Sequence, residues 1–237
     1  MIETRTIAYD LAGKEHQGTL AFNPASPGPA PTVLVFHAWD GRGEAMDSMA
    51  RRVADLGWNA FAVDLYGSGR TGKTTEECQA LMNPLVGDRA GLRTLLLDTV
   101  TAAAALPEVD GDRMAAIGFC FGGLCVLDLA RAGAPLRAVA SFHGLFTPPG
   151  LPTKVPIAAR VIAFHGWDDP MAPPDTVVAF GHELTQAKAD WQLHAYGSTM
   201  HGFMMPGANM PSMGVQYNAL SATRAWAAMT EFLVNSL

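Results

Sequence analysis

Short apolar runs alternate with segments of helical periodicity along most of this chain, and this alternation limits the possible folds more than any other feature. The run TVLVFH at residues 32–37 is rich in β-branched residues and has no polar face, which is typical of a strand covered on both faces. Similar runs follow at residues 59–66, 113–119, 137–143, 160–166 and 191–197. The pattern predicts an α/β fold with a mostly parallel central sheet, helices on both faces and right-handed connections.

The segments between these runs predict helices. Apolar residues recur at helical spacing over 44–57, in two stretches between 75 and 105, and over 121–132, 174–189 and 213–235. Before the first buried strand, residues 2–9 and 17–22 predict a hairpin, and the proline-rich stretch 24–31 predicts a connector. No repeat or linker divides the chain, so we expect residues 1–237 to form one domain.

Composition narrows the class of protein. Hydrophobic residues make up 49% of the 237 residues and charged residues 16%, which excludes an intrinsically disordered chain. The net charge of −6 leaves no basic surface for a nucleic-acid backbone. Three irregularly spaced cysteines form no disulfide framework, and neither a leader-like start nor a long apolar run predicts contact with a membrane. We expect a cytoplasmic protein whose partner is a small molecule, with no nucleic acid and no membrane.

The segment GSGRTGKT at residues 67–74 matches the phosphate-binding loop of nucleotide hydrolases. In such a loop, backbone amides surround the phosphates, Lys73 would meet the outer phosphates and the Thr74 hydroxyl would hold Mg²⁺. That loop normally follows the first strand of its sheet, whereas here a buried strand and a helix come earlier. We favour a tight turn followed by a solvated helix, and nucleotide hydrolysis remains the alternative.

The segment GFCFGG at residues 118–123 lies between a predicted strand and a predicted helix. It has the form of a nucleophile elbow with cysteine at the centre, where glycines avoid collisions with neighbouring backbone. Such a turn would present Cys120 at the carboxyl ends of the strands, and the helix N-terminus behind it favours a thiolate. A buried cysteine in a glycine-rich turn is the structural alternative for Cys120. Cys78 and Cys125 have no such setting, and we interpret them as small hydrophobic residues.

A hydrolase built on such an elbow needs an acid and then a histidine, each in a loop after a later strand. Asp169 follows the strand of residues 160–166, and His201 follows the strand of residues 191–197. Asp168 is the rival acid, but Gly166 and Pro170 shape the turn around Asp169 and favour it. Cys120, Asp169 and His201 are therefore the candidate catalytic residues.

The other six histidines lie at strand ends, in a strand, in a helix or near the N-terminus: His37, His143, His165, His194, His182 and His16. Histidines at strand ends commonly anchor loops through hydrogen bonds. No group of His, Cys, Asp and Glu has the spacing of metal ligands, so we expect neither a metal nor another cofactor.

Together these motifs resemble the dienelactone hydrolase family of α/β-hydrolases over essentially the whole chain. The resemblance is carried by VLVFHAWDG, DLYGSG, GFCFGG, HGWDDPMAP and HGF. It implies an α/β-hydrolase fold and cleavage of a lactone or ester by a Cys-His-Asp triad that falls on Cys120, His201 and Asp169. It also implies that residues 67–69 form the family's turn rather than a phosphate loop.

Two positions depart from the family pattern. Members that act on dienelactone carry a glutamate where this chain has Ala38, and an arginine that grips the substrate carboxylate where it has Met205. A buried carboxylate without a partner is costly, so neutral, apolar substrates are favoured. Arg89 or Arg93 would be the remaining cations, but each is more typical of an exposed helix surface. The remaining candidate pocket residues are Trp39, Tyr66, Trp167, Phe203 and Met204.

We therefore expect a hydrolase of carboxylic esters or lactones that works through a thioester acyl-enzyme. The backbone N–H of Phe121 is an oxyanion donor by elbow geometry, and that of Trp39 is one by family resemblance. A non-catalytic ligand binder on the same fold is a further alternative, because a fold does not determine a function.

Overall fold

The computed structural model describes residues 1–26 and 28–237 of the chain. Its strands, numbered in chain order, are β1 Glu3–Leu11, β2 Lys14–Phe22, β3 Ala30–Phe36, β4 Asn59–Ala62, β5 Val109–Phe119, β6 Ala138–Phe142, β7 Arg160–Gly166, β8 Trp191–Tyr196, β9 Asn209–Met210 and β10 Val215–Gln216. Its helices are α1 Glu44–Ala54, α2 Thr75–Gly87, α3 Arg89–Ala104, α4 Phe121–Ala132, α5 Pro174–Gln186 and α6 Ala219–Val234.

Strands β1 to β8 form one sheet in the order β1-β2-β4-β3-β5-β6-β7-β8. The hairpin of β1 and β2 is antiparallel and joins β4 in antiparallel pairing, whereas every pair from β4 to β8 is parallel. The fold is thus an α/β-hydrolase fold with a mostly parallel sheet, as predicted. None of the described helices is long and apolar enough to cross a membrane.

Alternating residues of the central strands feed two separate cores, one on each face of the sheet. In β3, Leu34 and Phe36 belong to the core on the side of α3, α4 and α5, while Val33 and Val35 belong to the core on the side of α1 and α6. All four side chains are fully buried. This explains why β3 is apolar throughout, since a strand covered on both faces has no solvated side.

The predicted closing helix over residues 213–235 is wrong at its start. The helix begins at Ala219, where the Asn218 side chain accepts a hydrogen bond from the Ser221 N–H and so caps the first turn. The preceding residues form a small hairpin of β9 and β10 joined by a 3-10 turn, Pro211–Met213. Met213 and Val215, two apolar residues of the predicted helix start, line a cavity of the site described below instead of a helix face.

His37, at the carboxyl end of β3, makes the stability of the fold depend on pH. Its ring is fully buried. The Nδ1 atom lies 2.6 Å from the Ala38 carbonyl oxygen, and Nε2 accepts a hydrogen bond from the Leu65 N–H. Burial lowers the pKa of His37 to about 4. Between pH 6.5 and 4 the unfolded chain therefore binds a proton that the folded protein does not, and stability falls as the pH falls.

We expect His37 to contribute a loss of about 2 kcal/mol in the free energy of unfolding between pH 7.5 and pH 5. Urea unfolding at the two pH values measures it, and His37→Gln should show a smaller pH dependence by that amount because the titrating group is gone. His182→Gln, in an exposed position of α5, is the matched control and should behave like the wild type. An unchanged pH dependence in His37→Gln would contradict the assignment.

Candidate active site

Cys120 occupies the turn between β5 and α4 in a backbone conformation that is strained for a residue with a side chain, with φ 54° and ψ −111°. The glycines on either side make this turn possible. A Cβ atom at Gly118 would lie 2.0 Å from the Gly122 carbonyl oxygen, and one at Gly122 would lie 2.3 Å from the Phe36 carbonyl oxygen. The elbow geometry predicted from GFCFGG is therefore present, and it places Cys120 at the carboxyl edge of the sheet.

The backbone amides around Cys120 differ in whether they have hydrogen-bond partners. The Cys120 N–H itself donates to the Phe142 carbonyl oxygen at 3.0 Å and to His143 Nδ1 at 3.2 Å. By contrast, the N–H groups of Phe121 and Trp39 have no hydrogen-bond acceptor within residues 1–26 and 28–237. These are the two groups that the sequence and the family resemblance single out as oxyanion donors.

Asp169 and His201 meet at the same edge of the sheet. Asp169 follows β7 and is buried, and its Oδ2 lies 2.7 Å from His201 Nδ1. Its other oxygen accepts a hydrogen bond of 2.8 Å from the Met171 N–H, which holds the carboxylate in place. Asp168, the rival acid, has an exposed side chain that makes no hydrogen bond in the part of the chain the structure describes. The geometry therefore pairs Asp169, rather than Asp168, with His201.

The small hairpin positions the backbone of His201. The His201 N–H donates to the Gly214 carbonyl oxygen at 2.9 Å, and the Gln216 N–H donates to the His201 carbonyl oxygen at 3.0 Å. The ring is thus held between the acid loop and the hairpin. The mis-predicted start of the closing helix therefore matters, because the residues involved build one wall of the site.

The charge state of His201 depends on its two neighbours. Burial lowers the pKa of His201, but the hydrogen bond to Asp169 and the Cys120 thiol beside the ring raise it overall, to about 10. Nε2, the atom on the far side from Asp169, is buried and has no hydrogen-bond partner among the described residues. Both Cys120 and His201 line the same cavities, so Nε2 is available to a group bound next to the sulfur.

His143, interpreted from the sequence as a loop anchor, lies inside the site. It is the first residue after β6, with a left-handed φ of 39°, and its ring centre is 5.1 Å from that of His201. Burial and the nearby His201 hold the pKa of His143 well below its usual value, so the ring is neutral. Since β6 neighbours β5, a histidine directly after β6 had to lie beside the elbow, and the strand order was the missing information.

Two cavities meet at Cys120. The first, which we call the α2 cavity, has a volume of about 310 Å³ and is walled by α2, the start of α4 and the acid loop; its residues include Thr75, Gln79, Met82, Asn83, Val86, Phe121, Leu124, Leu145, Met171 and Met213. The second, the histidine-loop cavity, has a volume of about 390 Å³ and includes Ala38, Asp40, Ala45, His143 and residues 202 and 205–208. Five residues line both: Trp39, Cys120, His201, Met210 and Val215.

The predicted substrate-binding residues separate into two groups. Ala38, Trp39 and Met205 line the histidine-loop cavity. Tyr66 is buried, and its hydroxyl donates to the Trp39 carbonyl oxygen at 2.8 Å, so it supports the wall rather than lining either cavity.

Phe203 and Trp167, the other two predicted substrate-binding residues, lie outside both cavities. Phe203 is fully buried, in the core beneath the histidine loop, and the neighbouring Met204 is also buried in that core. Trp167 is 44% exposed and lines neither of the two cavities. Proximity to a site loop in sequence does not determine whether a side chain turns into the cavity or away from it.

The two arginines considered as substitute cations are both engaged elsewhere. Arg89 pairs with Asp128 at 2.6 Å and is only 14% exposed, which corrects the prediction of an exposed surface charge. Arg93 donates to the Pro152 carbonyl oxygen at 3.0 Å. Neither lines the α2 cavity or the histidine-loop cavity.

Backbone amides of the GSGRTGKT segment already donate to a carboxylate, that of Asp64. The buried Asp64 carboxylate accepts hydrogen bonds from the N–H groups of Gly67 at 2.9 Å and Gly69 at 2.8 Å, which are amides that a phosphate loop would use. Thr74 caps α2 through its hydroxyl, as expected for a tight turn followed by a helix. This also explains why β4 ends at Ala62, before the predicted end at residue 66: the chain turns around Asp64.

Comparison with known proteins identifies the family of this chain. The profile of the dienelactone hydrolase family matches residues 18–237. A protein of Synechocystis sp., provisionally named carboxymethylenebutenolidase, is 28% identical over 95% of this chain and 94% of its own.

Two solved structures are more similar. One, called m3DLH, is 36% identical and superposes with a TM-score of 0.93 over 100% of this chain and 99% of its own. The other, from metagenomic libraries, is titled a dienelactone hydrolase-like promiscuous phosphotriesterase, P91; it is 34% identical, with a TM-score of 0.90 over 99% of this chain and 98% of its own. The chain therefore belongs to the dienelactone hydrolase family and is a hydrolase of the ester and lactone type.

Proposed function

We propose that this protein hydrolyses neutral carboxylic esters or lactones through a covalent thioester on Cys120, with His201 as the general base and acid and Asp169 as its orienting partner. The observation that carries the proposal is the 2.7 Å hydrogen bond from buried Asp169 to His201 Nδ1, with the free Nε2 of the same ring next to an elbow cysteine. Nucleophile, base and orienting acid in this order are the requirements of covalent acyl transfer.

The reaction follows in two halves. His201 Nε2 takes the thiol proton, and Cys120 Sγ attacks the carbonyl carbon to form a C–S bond; the C–O bond then breaks and the leaving alkoxide takes the proton from His201. A water molecule next gives a proton to His201 and attacks the thioester carbon. The C–S bond breaks, the carboxylic acid leaves, and the proton returns to the sulfur. Asp169 accepts the Nδ1–H throughout and stabilises the charged ring.

The negative charge that develops on the carbonyl oxygen needs donors already in place. The unengaged N–H groups of Phe121 and Trp39 support a role as that pair. Loss of one such donor typically costs about 3 kcal/mol of transition-state stabilisation.

Mass spectrometry of the protein during turnover of a short aryl ester tests the proposal. We expect a burst of phenol release with a stoichiometry of one per protein, and an acyl group on the peptide that contains Cys120. Acylation of another residue, or turnover without any covalent intermediate under single-turnover conditions, would overturn the assignment.

The preference for neutral substrates follows from what lines the cavities. Apart from Cys120 and His201, the ionisable side chains that line them in the described chain are Asp40 and His143, and the pKa shift of His143 keeps it neutral. We expect a neutral ester to have a kcat/KM roughly 10- to 150-fold above that of a matched ester bearing a carboxylate, the worth of one absent charged hydrogen bond. Initial rates on the matched pair at low salt measure this ratio.

Met205→Arg places a cation on the wall of the histidine-loop cavity and should narrow the ratio. Val178→Arg adds the same charge at an exposed position of α5 and should leave the ratio unchanged. A wild-type preference for the anionic ester would end the claim of neutral specificity.

A second activity of the same site is suggested by one relative. The P91 structure, with its title of promiscuous phosphotriesterase, is 34% identical over nearly the whole chain. A neutral phosphotriester would meet the same thiol and the same free amides without needing a cation. Incubation with an aryl dialkyl phosphotriester should release the phenol and leave a dialkylphosphoryl group on Cys120; absence of both would exclude this activity.

A further inference from the structure

We propose that the two cavities divide the substrate: the acyl group binds in the α2 cavity, and the leaving alcohol, later replaced by the hydrolytic water, binds in the histidine-loop cavity. This inference rests on the proposed function. It goes beyond it by naming which part of the ester each cavity recognises, and hence which residues determine each specificity.

The position of the proton donor assigns the leaving-group side. The leaving oxygen must reach His201 Nε2, because that atom returns the proton to it. The loop that follows His201 directly, residues 202–208, contributes five residues to the histidine-loop cavity and none to the α2 cavity. A leaving group next to this loop has its oxygen at the histidine and its remaining atoms against Met205 and Ala208.

The chemistry of the α2 cavity suits a hydrocarbon chain. Its walls include Met82, Val86, Leu124 and Leu145, and within the described residues no ionisable side chain other than Cys120 and His201 lines it. A volume of about 310 Å³ accommodates on the order of ten non-hydrogen atoms, at about 30 Å³ each. Flexible methionine side chains adapt to chains of different length.

The histidine-loop cavity is the more polar of the two. Asp40 and His143 both line it, and the Nε2 atom of His143 is buried without a partner among the described residues. Because His143 is neutral and its Nδ1 accepts the Cys120 N–H, its Nε2 carries a proton. A cavity with an unused donor and a carboxylate suits an alcohol and then a water molecule better than an acyl chain.

The division makes a kinetic prediction, because the acyl-enzyme keeps the acyl group after the alcohol has left. Residues of the α2 cavity contact the acyl group in both half-reactions, so they determine how acylation and deacylation depend on acyl-chain length. Residues of the histidine-loop cavity contact the alcohol only before it leaves. They determine how acylation depends on the alcohol and do not affect the dependence of deacylation on the acyl chain.

A matched pair of substitutions tests this. Met82→Trp narrows the α2 cavity, and Met205→Trp narrows the histidine-loop cavity. Two series of aryl and alkyl esters are used, one varying the acyl chain from two to eight carbons with a fixed alcohol, the other varying the alcohol with a fixed acyl group. The rate of acylation is measured from the release of the alcohol. The rate of deacylation is measured by mass spectrometry from the loss of acylated Cys120.

For Met82→Trp, we compare the rate with an eight-carbon acyl chain to the rate with a two-carbon acyl chain. We expect this ratio to fall at least about 10-fold in both half-reactions, and the dependence of the acylation rate on the alcohol to stay unchanged. Met205→Trp should reduce acylation by bulky alcohol esters at least about 10-fold, with the chain-length ratio of deacylation unchanged. If acylated Cys120 still forms but the pattern is reversed, or neither series changes, the inference is overturned and the proposed function is not. Absence of acylated Cys120 would instead refute the proposed function.

Folding of both variants is checked by circular dichroism and thermal unfolding. If either fails to fold, the smaller changes Met82→Phe, on α2, and Ala45→Leu, at the exposed start of α1, test the same two walls with the same expected directions.

Discussion

Replacing Cys120 with alanine is expected to reduce kcat/KM for ester hydrolysis by a factor of at least about 10³, because the nucleophile and the acyl-enzyme disappear together. The fold should tolerate the change. The elbow turn is maintained by the close approach of Gly118 and Gly122 to the surrounding backbone, and the hydrogen bonds of the residue-120 N–H do not involve the sulfur. Initial rates on a neutral aryl ester, with unfolding curves for both proteins, measure the effect.

Cys78→Ala is the matched control for this experiment. Cys78 lies on α2 and is buried against Gly72, and burial raises the pKa of its thiol, so it is a poor nucleophile. Its loss should leave the rate within a few fold of the wild type. Full activity in Cys120→Ala would mean that the hydrolysis does not pass through this cysteine, and the covalent mechanism would have to be abandoned.

The second large effect is expected from the acid. Asp169→Asn should reduce kcat/KM on the order of 10³-fold or more, because an amide that donates to Nδ1 holds the ring in the wrong tautomer. The hydrogen bond to Asp169 is also a cause of the raised pKa of His201, so this pKa should fall in the variant. The pH dependence of kcat/KM, followed with the same aryl ester, reports both changes.

Asp168→Asn is the neighbouring control, with the same chemical change one residue earlier. The Asp168 side chain is exposed and makes no hydrogen bond within the described ranges. The rate of ester hydrolysis by Asp168→Asn should therefore stay within about twofold of the wild type. A larger loss in Asp168→Asn than in Asp169→Asn would transfer the role of the acid to Asp168. The roles of Cys120 and His201 would be unaffected by that result.

The sequence contained the architecture and the candidate triad because both depend on local patterns. A strand covered on both faces must be apolar throughout, so β3 and its parallel neighbours were visible as apolar runs. An elbow that brings backbone within 2.3 Å of a would-be Cβ atom at Gly122 must have glycine there, so GFCFGG was visible as well. The order of Cys120, Asp169 and His201 along the chain reflects the order of the strands that carry them.

The sequence was least informative where the position of a side chain depends on a neighbouring element. Residues 213–216 were predicted as the start of the closing helix, but they belong to the hairpin that contacts the backbone of His201. Phe203 follows the histidine by two residues and turns into the core, whereas Met205 lines a cavity. The sequence predicts an exposed surface charge for Arg89, but this side chain is largely buried in an ion pair with Asp128 of α4. Each outcome depends on the neighbouring element, which periodicity along one segment does not contain.

By itself, the sequence determined the class of fold, the elbow and the residue types of the site, since these are constraints on single segments. Only the tertiary structure decided which groups meet. The strand order brings His143 beside Cys120, and the turn after β4 fills a phosphate-like loop with the carboxylate of Asp64. The packing of α2 and of the histidine loop around one sulfur creates two cavities of different chemistry. Such features arise from contacts between residues far apart in the chain, whose partners are set by the packing of the whole domain.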